Sequence, residues 1–299
     1  MSIQFTPLEN APWLASRSSG SLRARSSMHH ANSLTGFTLL GTGPASPIPR
    51  IYCFCATCAD ARKAGSKSRR RRSSALLSIP KGHILFDASP DVLEQLERAN
   101  TTLVDALFFT HAHADATGGF FDLKDVLYRQ KYPATLYVET GTWEKIARDV
   151  PKEEVWFKIK FITPGKLINV LGVSIMPFRV LHSAQPDFPT LGYRIGDKLV
   201  YASDVKEVPD VSEQFIAGAE NAVLDGCMWF DGKIPTHFTV SETIKLASRL
   251  KVKNLYLTQI SHAYPPYVDA VRQIGTFCKK NKITTRVSLA YDGMTMSIE

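Results

Sequence analysis

Residues 110–119 read Thr-His-Ala-His-Ala-Asp-Ala-Thr-Gly-Gly, which sets His111, His113 and Asp115 at alternate positions. Just before them, residues 103–109 (Leu-Val-Asp-Ala-Leu-Phe-Phe) make an apolar run of strand length; just after, residues 120–128 carry apolar side chains at helical spacing. Side chains on the turn leaving a buried strand can converge on one ion. Imidazole nitrogen with carboxylate oxygen suits Zn²⁺, Mn²⁺ or Fe. The alternative is a polar turn that holds its histidines by chance. With only 8 His in 299 residues, that spacing is hard to reach by chance.

A second group is Cys53-Phe-Cys55-Ala-Thr-Cys58. Three thiols within six residues can reach one tetrahedral zinc, with the fourth ligand supplied from elsewhere. Cys227 and Cys278 sit in apolar surroundings and read as core residues. Such cysteine usage does not resemble a secreted disulfide framework and points to a reducing compartment. The net charge of +8 is uneven: residues 62–72 hold seven positive charges and no acid. That run reads equally as a solvated loop or as a surface for phosphate or nucleic acid.

The elements that must position these groups follow in order. Short strands are expected at residues 36–40, 73–80 and 82–87, then a helix over 92–99 capped by Ser89-Pro90-Asp91. After the histidine turn come strands at 135–138 and 155–162 around a helix over 141–149. Residues 167–180 hold a strand pair turning at Gly172, and 191–195 with 199–201 form a hairpin. Strands at 222–224, 254–257, 284–289 and 294–298 alternate with helices over 240–250 and 267–280. Polar residues recur at the strand ends: His111, His113, Asp115, His182, Asp204, Gln259 and His262. Ligands donated by several strand ends of a layered α/β fold build rigid metal sites. At 44% hydrophobic residues the chain can bury a sizeable core, and no run approaches the ~18 apolar residues of a membrane span. Residues 1–34 are rich in Ser and Arg with one acid, Glu9, and read as a disordered or targeting-like tail ahead of a single domain over 35–299.

These motifs, in this order, resemble the metallo-β-lactamase superfamily: the His-x-His-x-Asp turn, the later His182 and the later Ser203-Asp204. The chain is more closely similar to the phosphoribosyl cyclic phosphodiesterase branch of the carbon–phosphorus lyase pathway. That likeness is carried by the cysteine group, His182-Ser183 ahead of Leu191-Gly192-Tyr193, Leu257-Thr258-Gln259-Ile260-Ser261-His262 and Asp292-Gly293-Met294. The resemblance implies a four-layer αββα sandwich. It implies a metal site of His111, His113 and His182, with Asp204 bridging toward a second metal, and a structural zinc on Cys53, Cys55, Cys58 and His262. It places His237 where the family keeps a proton donor, the alternative being an exposed loop histidine. Two positions depart from the family pattern: a histidine is replaced by Ala116, and another by Gln259. Asp115, Asp204 and the neutral oxygen of Gln259 remain for a second ion, with Asp122 as a candidate substitute. An amide is a poor exchange for an imidazole with a transition metal.

The expected function is therefore a metal-dependent hydrolase, a phosphodiesterase for a small anionic phosphodiester, cyclic ones included, acting through a metal-bound hydroxide. Asp115 would orient or deprotonate the water, and His237 would protonate the leaving oxygen. The catalytic ion is expected to be Zn or Mn, with Zn at the cysteines. The rivals are a nuclease or a lactone or ester hydrolase on the same scaffold, and a catalytically degenerate binding protein. A homodimer stays open, no membrane partner is expected, and nucleic acid is not favoured. The expected location is cytoplasmic, with organelle targeting through residues 1–34 as the alternative.

Overall fold

The computed structural model describes residues 36–149, 156–183, 185, 187–232 and 234–298. All of them fall in one unit, Leu34–Glu299; the tail expected over residues 1–34 lies outside the described residues. Two seven-stranded mixed sheets organise the chain. The first holds β1 (Gly36–Gly41), β2 (Ser74–Ile79), β3 (Gly82–Phe86), β4 (Ala106–Phe108), β5 (Ala134–Glu139) and β6 (Phe157–Ile162), with β14 (Met294–Ser297) returning beside β1. The second holds β7 (Ile168–Val170), β8 (Val173–Arg179), β9 (Leu191–Ile195), β10 (Leu199–Ala202), β11 (Asn221–Asp225), β12 (Asn254–Thr258) and β13 (Arg286–Leu289). Each sheet begins antiparallel and becomes parallel at one point, between β3 and β4 and between β10 and β11. The parallel strands end near the histidines.

Alternation of side chains sorts the core into layers. On the first sheet, Ile84, Phe86, Ala106, Phe108 and Tyr137 face the second sheet, while Leu85, Leu107, Leu136 and Val138 face outward. On the second, Leu199, Tyr201 and Val223 face inward, while Val200, Ala202, Leu224 and Leu257 face the outer helices. The outer layers include α2 (Val92–Arg98), α4 (Leu123–Gln130) and α5 (Thr140–Ile146) on one side, and α7 (Val240–Arg249) and α8 (Tyr267–Lys280) on the other. That is the expected αββα sandwich. Phe86 holds its middle, with the rings of Phe37, Phe108, Tyr193 and Tyr201 all centred 5.4–5.8 Å away. Truncating such a ring costs about 3–5 kcal/mol.

Several expected elements shift. The strand expected over 103–109 is only Ala106–Phe108, and the helix expected over 120–128 begins three residues later, as α4. A single turn, α3 (Ala114–Thr117), follows the histidines at once, and α4 starts after it. Gly119 makes that break: its backbone passes so close to Ser89 that a Cβ there would sit 2.1 Å from the Ser89 carbonyl oxygen. Two further short helices, α1 (Ala56–Ala61) and α6 (Asp210–Glu213), were not anticipated. Asp91 is the N-cap of α2 but makes no side-chain cap bond, because its carboxylate accepts from Arg72.

Candidate metal centre

Three loops at the strand ends carry the histidines, and backbone bonds tie them together. Leu191 N donates to Thr110 O at 2.9 Å, joining the two sheets beside His111. Lys206 N donates to Leu181 O at 2.7 Å, and Phe238 N to Val205 O at 2.8 Å. Those bonds lash the His182 loop, the Asp204 loop and the His237 loop to one another. A capping box then fixes the last loop: Thr239 and Glu242 bond reciprocally at the start of α7.

His111 is fully buried. Its Nδ1 lies 2.8 Å from Thr110 Oγ1, and that hydroxyl donates to Asp87, which also accepts from Thr110 N. A hydroxyl that donates to the carboxylate accepts from Nδ1–H, so the lone pair of His111 is left on Nε2. Nε2 is buried without a hydrogen-bond partner. His182 repeats the arrangement, its Nδ1 2.9 Å from Thr236 O and its Nε2 3.2 Å from His113 Nδ1. One nitrogen from each of His111, His113 and His182 lies within 4.8 Å of the others. Burial pushes the His111 pKa down to about 3, against the pull of Asp204, and burial also lowers His113. Neutral imidazoles with inward lone pairs are what a metal ion needs. An unpaired buried nitrogen costs stability unless something occupies the space between. The donor set fits a transition metal.

A second set shares His182. Asp204, His182 and His237 offer atoms within 4.8 Å of one another. Burial opposes the charge on Asp204, but His111, His182 and His237 outweigh it and hold the carboxyl well below the usual range; Ser203 Oγ also donates to it at 2.7 Å. His237 is no exposed loop residue. Its Nδ1 sits 2.6 Å from Asp225 Oδ2, and Asp225 is fully buried, accepting also from Val205 N and Cys227 N. Burial disfavours the imidazolium, yet the Asp225 charge and hydrogen bond prevail and push the His237 pKa up to about 9. Sequence reasoning missed Asp225 as a partner. Its place at the end of a buried strand, ahead of Gly226, was the available signal.

The remaining expected site residues divide. Asp115 is half-buried and stands outside both sets; burial, then the nearby charge of Asp204, pushes its pKa up to about 7. Gln259 is buried at the end of β12 with its backbone in the left-handed region, and its Oε1 has no partner. Asp122 is exposed at the start of α4, so the substitute-ligand expectation fails. Phe188 was not anticipated: its ring stacks on His113 at 4.5 Å, with Lys145 Nζ 5.3 Å from its centre.

The cysteine group comes together with His262. Ligand atoms of Cys53, Cys55, Cys58 and His262 lie within 4.8 Å of one another. The backbone N–H groups of Arg50 and Cys58 donate to the Cys58 and Cys55 sulfurs, and burial, then the Arg50 charge, lowers the His262 pKa. Four such donors fit a closed structural zinc site.

The basic run corrects the sequence reading. Arg62 donates to the carbonyls of Arg50, Cys53 and Cys58, and buried Arg70 to Thr42 Oγ1 and Ala290 O. Arg72 pairs with Asp91 at 3.0 Å. Arg62, Arg70 and Arg72 are therefore tied into the scaffold, while Lys63, Lys67 and Arg69 stay exposed. Among the described residues no helix is long and apolar enough to cross a membrane.

The family model described as Beta-lactamase superfamily domain matches residues 83–260. A curated octanoyltransferase of Porphyromonas gingivalis is 26% identical over 237 residues, which cover 76% of this chain but only 46% of that protein; the chain thus spans about half of that relative's length. A solved structure of a new diphosphatase from the PhnP family is 26% identical, covering 89% of this chain and 98% of that one, with a TM-score of 0.78. Zn²⁺-bound PqqB from Methylobacterium extorquens shares the fold at a TM-score of 0.73 and 21% identity, covering 88% and 100% of the two chains. With the sandwich, the strand-end histidines and the matched domain in agreement, the chain belongs to the metallo-β-lactamase superfamily and resembles its PhnP-like branch.

Proposed function

We propose that the chain is a metal-dependent phosphodiesterase for a small anionic phosphodiester. The observation that carries this reading is the convergence of His111, His113 and His182, the first two held neutral by burial, beside one charged imidazole, His237, whose ring centre lies 4.7 Å from that of His182. His111, His113, His182 and Asp204 would hold the catalytic ion, Zn or Mn. Such an ion, when bound, lowers the pKa of water and offsets phosphate charge. Gln259 and Asp115 offer only oxygen donors and Ala116 offers none, so a second ion would be more weakly held and one catalytic ion is favoured.

The chain's own residues supply the rest. Asp87 and Thr110 fix the His111 ring, and the Thr236 carbonyl fixes His182. His237 is held by Asp225 through Nδ1, which leaves its Nε2–H to protonate a leaving alkoxide. Its raised pKa keeps that proton in place at neutral pH. Asp115, with a pKa near 7, is suited to orient the attacking water and take its proton. Phe188 walls the centre against solvent, and Lys145 places a cation at its rim.

The name of the solved diphosphatase neighbour supports a phosphoryl substrate. The test is turnover of an aryl phosphodiester, an aryl acetate and single-stranded RNA by purified protein loaded with Zn²⁺ or Mn²⁺. Metal-dependent turnover of the phosphodiester alone is expected. Ester cleavage without phosphodiester cleavage would overturn the reading, and no turnover of any substrate would favour the binding-protein alternative.

A further inference from the structure

One part of the basic run is not consumed by scaffolding. Lys67, Arg69, Arg71, Arg98, Tyr291 and Asp292 line a pocket of about 300 Å³, and none of the histidine-cluster residues lines it. We propose that this pocket is a second anion site that binds a phosphate dianion, free or as the end of a small phosphoester.

The charges in its wall are uneven in how they are spent. Arg71 gives Nε and Nη2 to Glu94, while its Nη1 is buried without an acceptor; the Asp292 carboxylate lies 3.8 Å away. Asp292 is the one acid lining the pocket, and it looks elsewhere. Its Oδ1 accepts from Thr42 N and Oγ1 at 3.0 and 2.8 Å, and its Oδ2 from Arg71 N at 2.7 Å. Lys67 Nζ lies 4.1 Å from the centre of the Tyr291 ring and has no carboxylate within ion-pair distance among the described residues. Arg98, in the last turn of α2, has none either, and Arg69 spends only Nε, on Ala61 O. Four cations thus meet in a concavity whose single acid is engaged by backbone and hydroxyl donors.

Concave walls of one sign concentrate counter-ions, and guanidinium forks match tetrahedral phosphate oxygens. A volume of about 300 Å³ is at the small end of ligand sites. It holds a phosphate with a short polar substituent. The neighbouring arginines make the contrast: Arg70 and Arg72 are fixed by protein acceptors, whereas Lys67 and Arg98 are exposed and make no ion pair among the described residues, Glu94 acting on Arg98 only at longer range.

The experiment is calorimetric titration of the zinc-loaded full chain with inorganic phosphate, sodium chloride serving as the control anion. His111→Ala removes phosphate binding at the histidine centre, and Lys67→Ala with Arg98→Ala removes the pocket cations. One phosphate should still bind His111→Ala, and adding the double change should weaken it by about tenfold or more. The affinity should fall as salt rises. The double variant alone should leave aryl phosphodiester turnover unchanged. Glycerol phosphate binding more tightly than phosphate would mean an esterified ligand, and equal binding would mean the free ion. Phosphate affinity that the double change leaves intact, or binding to His111→Ala no stronger than chloride gives, would overturn the proposal. A failed phosphodiesterase assay would not, because this readout needs no turnover.

Discussion

The histidine centre and the cysteine group both gather side chains that could hold a metal, yet the fold treats them differently. The histidines lie on loops at the strand ends, and three of the rings are held by a partner behind them: His111 by Thr110 and Asp87, His182 by the Thr236 carbonyl, His237 by Asp225. The cysteines lie at the surface on a loop and one short helix, with Cys55 exposed and Ile51, Tyr52 and Phe54 beside it exposed above 80%. The first set is pre-organised whether or not an ion is present. The second is held by Arg62, by backbone N–H groups on two sulfurs and by the small core of Ile48, Cys58 and Ala61, and a bound ion would add its binding energy to the folding energy there. Under the proposed function, rigid orientation serves chemistry and closure serves stability.

Breaking each site should separate the two roles. The largest effect on turnover is expected from His111→Ala, which should reduce phosphodiester hydrolysis to background while shifting the melting temperature little; a calorimetric scan beside the assay checks both. Cys58→Ser should do the reverse. It should lower stability by several kcal/mol, on the order of a lost structural metal site, while the folded fraction retains its turnover per molecule. Asp225→Asn is next, with turnover falling by about 100-fold, the scale of a lost general acid. The pH profile carries the signature. Because His237 is raised to about 9, its proton is present at neutral pH and lost as pH rises through that value, so activity should decline on the alkaline side. In Asp225→Asn that decline should move to lower pH. By the same sign, the His237–Asp225 pair stabilises the fold fully below the ordinary histidine pKa near 6.5 and loses its contribution as pH passes about 9. Thr110→Val, which cuts the link from Asp87 to His111, should weaken catalytic metal affinity by about 10–100-fold and leave the cysteine zinc untouched. The smallest effect is Thr239→Ala, about 1 kcal/mol of stability from the lost cap of α7, measurable in urea.

The first-row chemistry was legible because it is written locally. His111, His113 and the cysteines declare themselves by spacing, and His182 and Asp204 by order along the chain. What stayed hidden depends on partners far apart in sequence. Arg70 looks like a solvated cation until it reaches Ala290, 220 residues away. Asp225 looks like a strand end until His237 folds back onto it. The strand and helix around the histidine turn were both drawn too long. Apolar Phe109 and Phe120 continue the pattern past the ends of β4 and short of α4, because both pack in the same outer core layer without belonging to either element. Asp122 had the right chemistry and the wrong position, which spacing cannot reveal.

The most direct measurement is metal content per chain with aryl phosphodiester turnover, followed together through stepwise chelation. The account predicts two ions: one removed early with complete loss of turnover, and one that resists until the protein unfolds. Turnover that persists after the first ion has left would contradict it.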